Sequence, residues 1–384
     1  MGAVMKRRRY RRVKMCSGYR GELMRLMLTN GIVPYDALHM LKGEHRLYTR
    51  KLKEMEEEGI VEIVRYKNKK VATLKGFEMN YEKYISSFPV GYYGYYNRIG
   101  SQIKIKLGRR ADKVQAERAY REGKVSTLMY GCGINELFEE KPDITTDESD
   151  IITSACYYGM GEIKLGFGDG EKAIFNSRAI GCIVGQGGMF AVYDTESRAM
   201  KWNDASEDRM MIYTARIINK AFPQHENKVQ PLTESLVLAY NEKTLCKVIL
   251  NEKEDKLINT ETKYVSMYGM LYKKEYMPLI KNLCSDSEWK TRMKKRYLEA
   301  DGFNISPGII NMLPVSCDGV NENGEYVLLF CIPDISKLRR FLSAAHMSKQ
   351  PERYKLYCYS FQAPIVATLT NNAIEVYTTE YEDV

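Results

Sequence analysis

Leu23, Leu26 and Met27 recur at helical spacing between Tyr19 and Thr29, and Asn30-Gly31 is a usual C-terminal stop, so the pattern predicts a first helix there. Pro34 suits the first turn of a second, short helix through Leu38 and Leu41, which Lys42-Gly43 interrupts. A third helix is predicted from about His45 to Glu58, ending at Gly59. Within it Tyr48, Leu52 and Met55 lie at i, i+4 and i+7 and face a core, while Arg46, Thr49, Arg50 and Lys53 repeat that spacing on another face. The exposed stripe is cationic at the front of the helix, and Glu54, Glu56, Glu57 and Glu58 crowd its far end. Two strand-like runs follow, IVEIVRY and KVATL, joined by Lys67-Asn68-Lys69-Lys70 with Asn68 suited to the turn.

Three helices and then a basic hairpin is the order of a winged helix-turn-helix domain, expected over residues 19–85. On that plan the front of the third helix enters a major groove, with Arg46, Thr49 and Arg50 toward base edges and Lys53 beside them. Lys67, Lys69 and Lys70 form a wing that touches phosphate, and the glutamates stay clear of it. The charge distribution agrees. Through Lys124 there are 29 Lys and Arg against 13 Asp and Glu, and after it 29 against 36. Residues 1–18 make a basic arm, in which Arg7, Arg8, Arg9, Arg11 and Arg12 are candidates for phosphate or minor-groove contact. Segregation of charge on this scale favours a polyanionic partner, and double-stranded DNA fits it.

Residues 86–150 read as an aromatic linker followed by a basic helical segment. SSFPVGYYGYYNRIG carries no charge before Arg98 and is punctuated by Pro89, Gly91 and Gly94; its tyrosines could also stack on bases or supply a nicking nucleophile. The stretch from Gly108 to Leu137 reads as a helix pair with a basic first member. Residues 151–384 alternate short apolar runs with turns. AIGCIV, Gly185-Gln186-Gly187-Gly188 and MFAVYD make a hairpin, and an amphipathic helix follows from about Asp204 to Ala221. Strands are expected at Leu236–Tyr240, Leu245–Leu250, Tyr326–Ile332, Tyr354–Phe361 and Ala373–Thr378, with a helix capped by Asp334 and running to about Ala344. The fold class is therefore α+β or α/β, an N-terminal winged helix followed by a mixed-sheet domain.

Several chemistries are excluded by spacing. Neither GFGDG at 166–170 nor GQGG at 185–188 has the P-loop or dinucleotide pattern, no GxSxG is present, and the four histidines form no HxH or HExxH. Nine scattered cysteines without a CxxC pair read as free thiols of a reducing compartment. The longest apolar run, Tyr326 to Ile332, is far short of the roughly 20 residues of a membrane span, so no membrane contact and a cytoplasmic location are expected. One constellation bears on catalysis: Asp143, then Glu162 and Lys164, resembles the two carboxylates and lysine with which PD-(D/E)xK nucleases hold Mg²⁺ and activate water. That reading needs the Asp and the Glu-x-Lys on adjacent strands. Arg178, Asp194, Glu196 and Lys201 flank the predicted hairpin and form a candidate polar cluster, either an anion or metal site or an ion-pair network.

The winged-helix opening resembles the replication-relaxation proteins of Gram-positive plasmids and conjugative elements. Glu162-Ile163-Lys164, Ser177-Arg178, Gly181, Val192-Tyr193-Asp194-Thr195 and Met200-Lys201-Trp202 are similar to a pattern, EIK, SR, G, VYNT, MKW, in proteins of the same mobile elements. This chain has Asp194 where the pattern has Asn and Glu196 where it has Gly. The resemblance implies sequence-specific DNA handling in replication, conjugation or its regulation, and assigns no catalytic residue. Expected with it are a homodimer, a non-catalytic C-terminal module open to a protein partner, and no cofactor, Mg²⁺ entering only on the nuclease reading. A structural component that uses the winged helix to dock on protein is the other alternative.

Overall fold

The computed structural model describes residues 18–76, 84, 113–135, 137, 141–142, 144, 154–165, 177–196, 204–222, 234–250, 266–371 and 373–382. Two units emerge, residues 1–124 with 137–139 and residues 125–136 with 140–384. The arm residues Arg7, Arg8, Arg9, Arg11 and Arg12 and the aromatic linker lie outside the described residues.

In the first unit, α1 (Gly18–Asn30) buries Leu23, Met24, Leu26, Met27 and Leu28, a wider apolar face than the predicted stripe. Gly31, at a φ of +80°, ends it and exposes a carbonyl that accepts the Thr73 hydroxyl at 2.8 Å. A short strand not anticipated from the pattern follows, β1 (Ile32–Pro34), and the expected second helix is a 3₁₀ turn, Tyr35–Met40. Next come α2 (His45–Glu57), β2 (Val61–Tyr66) and β3 (Lys69–Leu74), with the strands in the antiparallel order β1-β3-β2. The hairpin turn is only two residues long, since Lys69 and Lys70 already belong to β3. Lys67 and Asn68 both take positive φ, 44° and 66°, the type I′ geometry whose twist matches the flanking strands. Where a helix pair was predicted, the described residues form one helix, α3 (Lys113–Cys132), divided between the units after Lys124. Gly123 within it is a close-approach residue: a Cβ there would lie 2.8 Å from Cγ1 of Ile32. Tyr120 of α3 packs with Ile32 and Val71 in a buried cluster.

The second unit is a mixed α and β structure built twice on the same plan. Its first sheet contains β4 (Cys156–Gly159), β5 (Gly181–Gly185), β6 (Gly188–Glu196), β7 (Glu234–Ala239) and β8 (Ser266–Leu271), in that spatial order. The short helix α4 (Met160–Leu165) follows β4 directly. The β4–β5 and β5–β6 pairs are antiparallel, whereas β6–β7 and β7–β8 are parallel. Parallel neighbours need crossovers, supplied here by α5 (Asp204–Ala221) and α6 (Glu242–Leu250). The latter corrects the strand expected at Leu245–Leu250. Asn241 caps this helix by accepting the Thr244 N–H at 2.8 Å, and Leu245, Cys246, Val248 and Ile249 are buried at helical spacing that a continuous apolar run conceals.

After α7 (Met277–Ser285), α8 (Trp289–Lys294) and the four-residue α9 (Pro307–Ile310) the plan repeats. Antiparallel β9 (Gly319–Val320) and β10 (Tyr326–Leu329) lead through α10 (Ile335–Met347) to parallel β11 (Tyr354–Tyr359), then through α11 (Ala363–Thr370) to parallel β12 (Glu375–Thr379). Asp334 caps α10 as expected, accepting the Lys337 N–H at 3.0 Å. The glycines of GQGG are packing residues: a Cβ at Gly187 would stand 2.0 Å from the Leu283 carbonyl oxygen, and one at Gly185 2.2 Å from that of Cys284. Thus the β5–β6 turn lies against the end of α7, where the Gly187 N–H donates to the Cys284 carbonyl at 3.0 Å. The eight described cysteines are buried and form no disulfide with one another. Among the described residues no helix is long and apolar enough to cross a membrane.

Candidate nucleic-acid interface

The two faces of α2 have opposite character. Tyr48, Leu52 and Met55 are buried, with the Tyr48 hydroxyl donating to Glu22 at 2.7 Å and its ring edge-on to Tyr19 at 4.8 Å. Arg46, Arg50 and Lys53 are exposed on the other side. Arg50 lies 3.7 Å from Glu54 and Lys53 3.9 Å from Glu57, so each cation has a glutamate one turn further along. Such exposed i,i+4 pairs are worth about 0.3–0.5 kcal/mol, little enough for phosphate or a base edge to displace them. Thr49 differs from its neighbours in this stripe. It is half-buried and its hydroxyl donates to the His45 carbonyl at 3.0 Å, which turns its polar atom back onto the helix. Arg20 of α1 holds the acidic end of α2 by a two-pronged contact with Glu58, one arm at 2.9 Å. That contact sets the Glu58 carboxyl below its usual range, first through the Arg20 hydrogen bonds.

The hairpin lysines separate into two kinds. Lys67 reaches Glu117 of α3 at 2.8 Å, and hydrogen bonding to Glu117 and Tyr66 raises its ammonium above the ordinary lysine range. Lys69 lies 3.4 Å from Asp36 and 4.5 Å from the Tyr120 ring centre, while Asp36 also accepts the Tyr120 hydroxyl. Lys67 and Lys69 thereby tie the turn to α3 and to the 3₁₀ turn. Lys70 is exposed, its ammonium 5.9 Å from the Tyr35 ring. The positioning role of Glu117 was not readable from the chain, because its partner is 50 residues away.

The nuclease constellation does not assemble on strands. Glu162 and Lys164 belong to α4, where an i, i+2 spacing sends side chains to different sides, and Asp143 lies outside the described residues. Glu162 is instead one half of a buried pair. Lys141 Nζ is 2.8 and 2.9 Å from its two carboxylate oxygens and donates to the Tyr157 carbonyl at 2.8 Å, and the Gly159 N–H donates to Glu162 at 2.7 Å. Among the described residues no three His, Cys, Asp or Glu side chains group as a metal site.

The polar cluster is organised by a residue that sequence reasoning missed. Glu207 of α5, fully buried, accepts the Ser177 hydroxyl at 2.9 Å, the Arg178 N–H at 2.7 Å and the Tyr193 hydroxyl at 2.9 Å. Burial raises its carboxyl above the usual range against the lowering effect of those three donors. Arg178 takes part through its backbone and is exposed, and Asp194 is buried on β6. Glu196 pairs with Ala239 past a β-bulge at Asp194, and Lys201 lies outside the described residues. The i, i+3 and i+4 apolar spacing of α5 was visible, but nothing marked Glu207 as inward-facing. A groove of about 820 Å³ near α9 is lined by Lys294 and Lys295 but also by Glu299 and Glu322, so its charge selects no ligand class. No family model, curated protein or solved structure matches the chain.

Proposed function

We propose that residues 18–76 form a winged helix-turn-helix that binds double-stranded DNA, with α2 in the major groove and the β2–β3 hairpin along the backbone. The observation that carries this reading is the opposition of faces on α2: Tyr48, Leu52 and Met55 buried, Arg46, Arg50 and Lys53 presented outward beside a hairpin tipped by Lys67 and Lys70. Arg46 and Arg50 have the planar donor geometry that reads guanine, each bidentate contact being worth about 1–3 kcal/mol of discrimination. Lys53, Lys67 and Lys70 act on phosphate and give affinity without sequence information. The basic arm adds to that affinity. The second unit is a non-catalytic module, and a role in replication, conjugation or its regulation on a mobile element extends the reading on the strength of the sequence resemblance alone.

The test is selection from randomised duplexes with the native chain and an Arg46→Ala/Arg50→Ala variant, together with affinity across a salt series. Native protein is expected to enrich a motif and to lose affinity steeply with salt, by about 0.9 in the logarithmic slope per neutralised phosphate. The variant is expected to keep most of the slope and lose the motif. Absence of duplex binding at low salt, or an unchanged motif in the variant, refutes the assignment.

A further inference from the structure

Each sheet edge exposes unpaired N–H and C=O groups that invite another strand, and soluble proteins blunt such edges. Among the described residues the three sheets have six edge strands, and five carry a recognisable device. β1 is three residues long and ends in Pro34. β2 projects the exposed charges of Glu62 and Arg65. An Asn135–Cys156 bridge covers β4, and a Tyr268–Asp334 bridge with the Gly269 N–H donating to Pro333 at 2.9 Å covers β8. β9 has two residues and a bridge to Asn304.

The sixth edge, β12, has neither a bridge, a proline nor a length of two or three residues. It runs five residues, EVYTT, with no proline, lysine or bulge and one charge, at its first position. Among the described residues no bridge or backbone hydrogen bond reaches the side of it turned away from β11. Its central residue is held ready: the Tyr377 ring stacks on Tyr357 at 4.8 Å and 19°, with the Lys355 ammonium 5.8 Å from its centre.

We propose that β12 is a homodimerisation edge, two copies pairing antiparallel about a two-fold axis at Tyr377. The strand is complementary to itself in that register. Glu375 faces Thr379 of the second copy, Val376 faces Thr378, and Tyr377 faces its own counterpart, so no like charges meet and an aromatic pair sits on the axis. A register centred on Glu375 would set two carboxylates face to face. This self-match favours a second copy over a foreign strand, and it stands whether or not the first unit binds DNA.

Sedimentation equilibrium of the full chain tests it with two substitutions at one strand end, the half-buried Thr379. Thr379→Glu places a glutamate opposite Glu375 twice per dimer, and the dissociation constant is expected to rise about 2- to 30-fold; Thr379→Lys creates two opposite-charge pairs, and it is expected to fall by a similar factor. Both readouts ignore DNA, so failure of the DNA reading leaves them intact. Hydrogen exchange adds a second measure, with β12 amides protected more strongly as protein concentration rises. A chain that stays monomeric with concentration-independent exchange overturns the proposal and leaves the edge to a foreign strand, and a dimer indifferent to both substitutions also overturns it.

Discussion

Replacing Lys141 with methionine removes a cation whose side chain has no solvent exposure and leaves the Glu162 carboxylate, 9% exposed, without its counter-charge. Two hydrogen bonds vanish with the ammonium, one to Glu162 and one to Tyr157, together with its 2.8 Å ion-pair contact to the other Glu162 oxygen. The Gly159 N–H continues to donate to the carboxylate. Breaking a buried pair from one side costs about 3–5 kcal/mol, because the surviving charge is stranded in a poorly polarisable surrounding. Adding Glu162→Gln to Lys141→Met removes that stranded charge, so the double variant is expected to recover stability relative to Lys141→Met, with a coupling of about 0.5–3 kcal/mol. Denaturant titration followed by tryptophan fluorescence reads the right region, since Trp289 is buried in the second unit. A Lys141→Met cost below about 1 kcal/mol, or a double variant whose cost equals the sum of the singles, would refute the reasoning.

Glu207→Gln tests the other buried acid. Burial raises the Glu207 carboxyl, so its stabilising effect is complete below the unfolded carboxyl value of 4.5 and is lost as pH rises through the higher folded value. The stability of wild type relative to Glu207→Gln is therefore expected to decrease as pH rises above the unfolded value of 4.5 in urea titrations, and a flat or rising difference contradicts the burial argument. Gly187→Ala would drive a methyl to 2.0 Å of the Leu283 carbonyl, so a loss of about 1–3 kcal/mol is expected by thermal or denaturant unfolding. Lys67→Gln removes one side of a pair that is exposed on both sides, leaving stability within about 1 kcal/mol while the salt dependence of DNA binding becomes shallower by about 0.9 in logarithmic slope. An unchanged slope would mean that Lys67 does not reach phosphate.

The sequence by itself determined the local elements and the faces of the strongest of them. Periodicity placed α2, β2, β3, β5, β6, α5 and α10, and the 3.6-residue repeat separated Tyr48, Leu52 and Met55 from Arg46, Arg50 and Lys53, because both signals depend only on residues a few positions apart. Where a run is apolar throughout, that signal disappears: Leu245 to Leu250 read as a strand, and only its cap at Asn241 and its packing make it the crossover α6. Tertiary structure alone decided which charges meet. Glu162 takes Lys141 rather than a metal-site arrangement with Lys164, Lys67 takes Glu117, and Glu207 gathers Ser177, Arg178 and Tyr193. Strand order was equally beyond the linear pattern, including the exposure of β12 at an edge. The physical reason is that helix faces and turns follow from neighbouring residues, whereas ion-pair partners and sheet edges follow from how distant segments are brought together and dried.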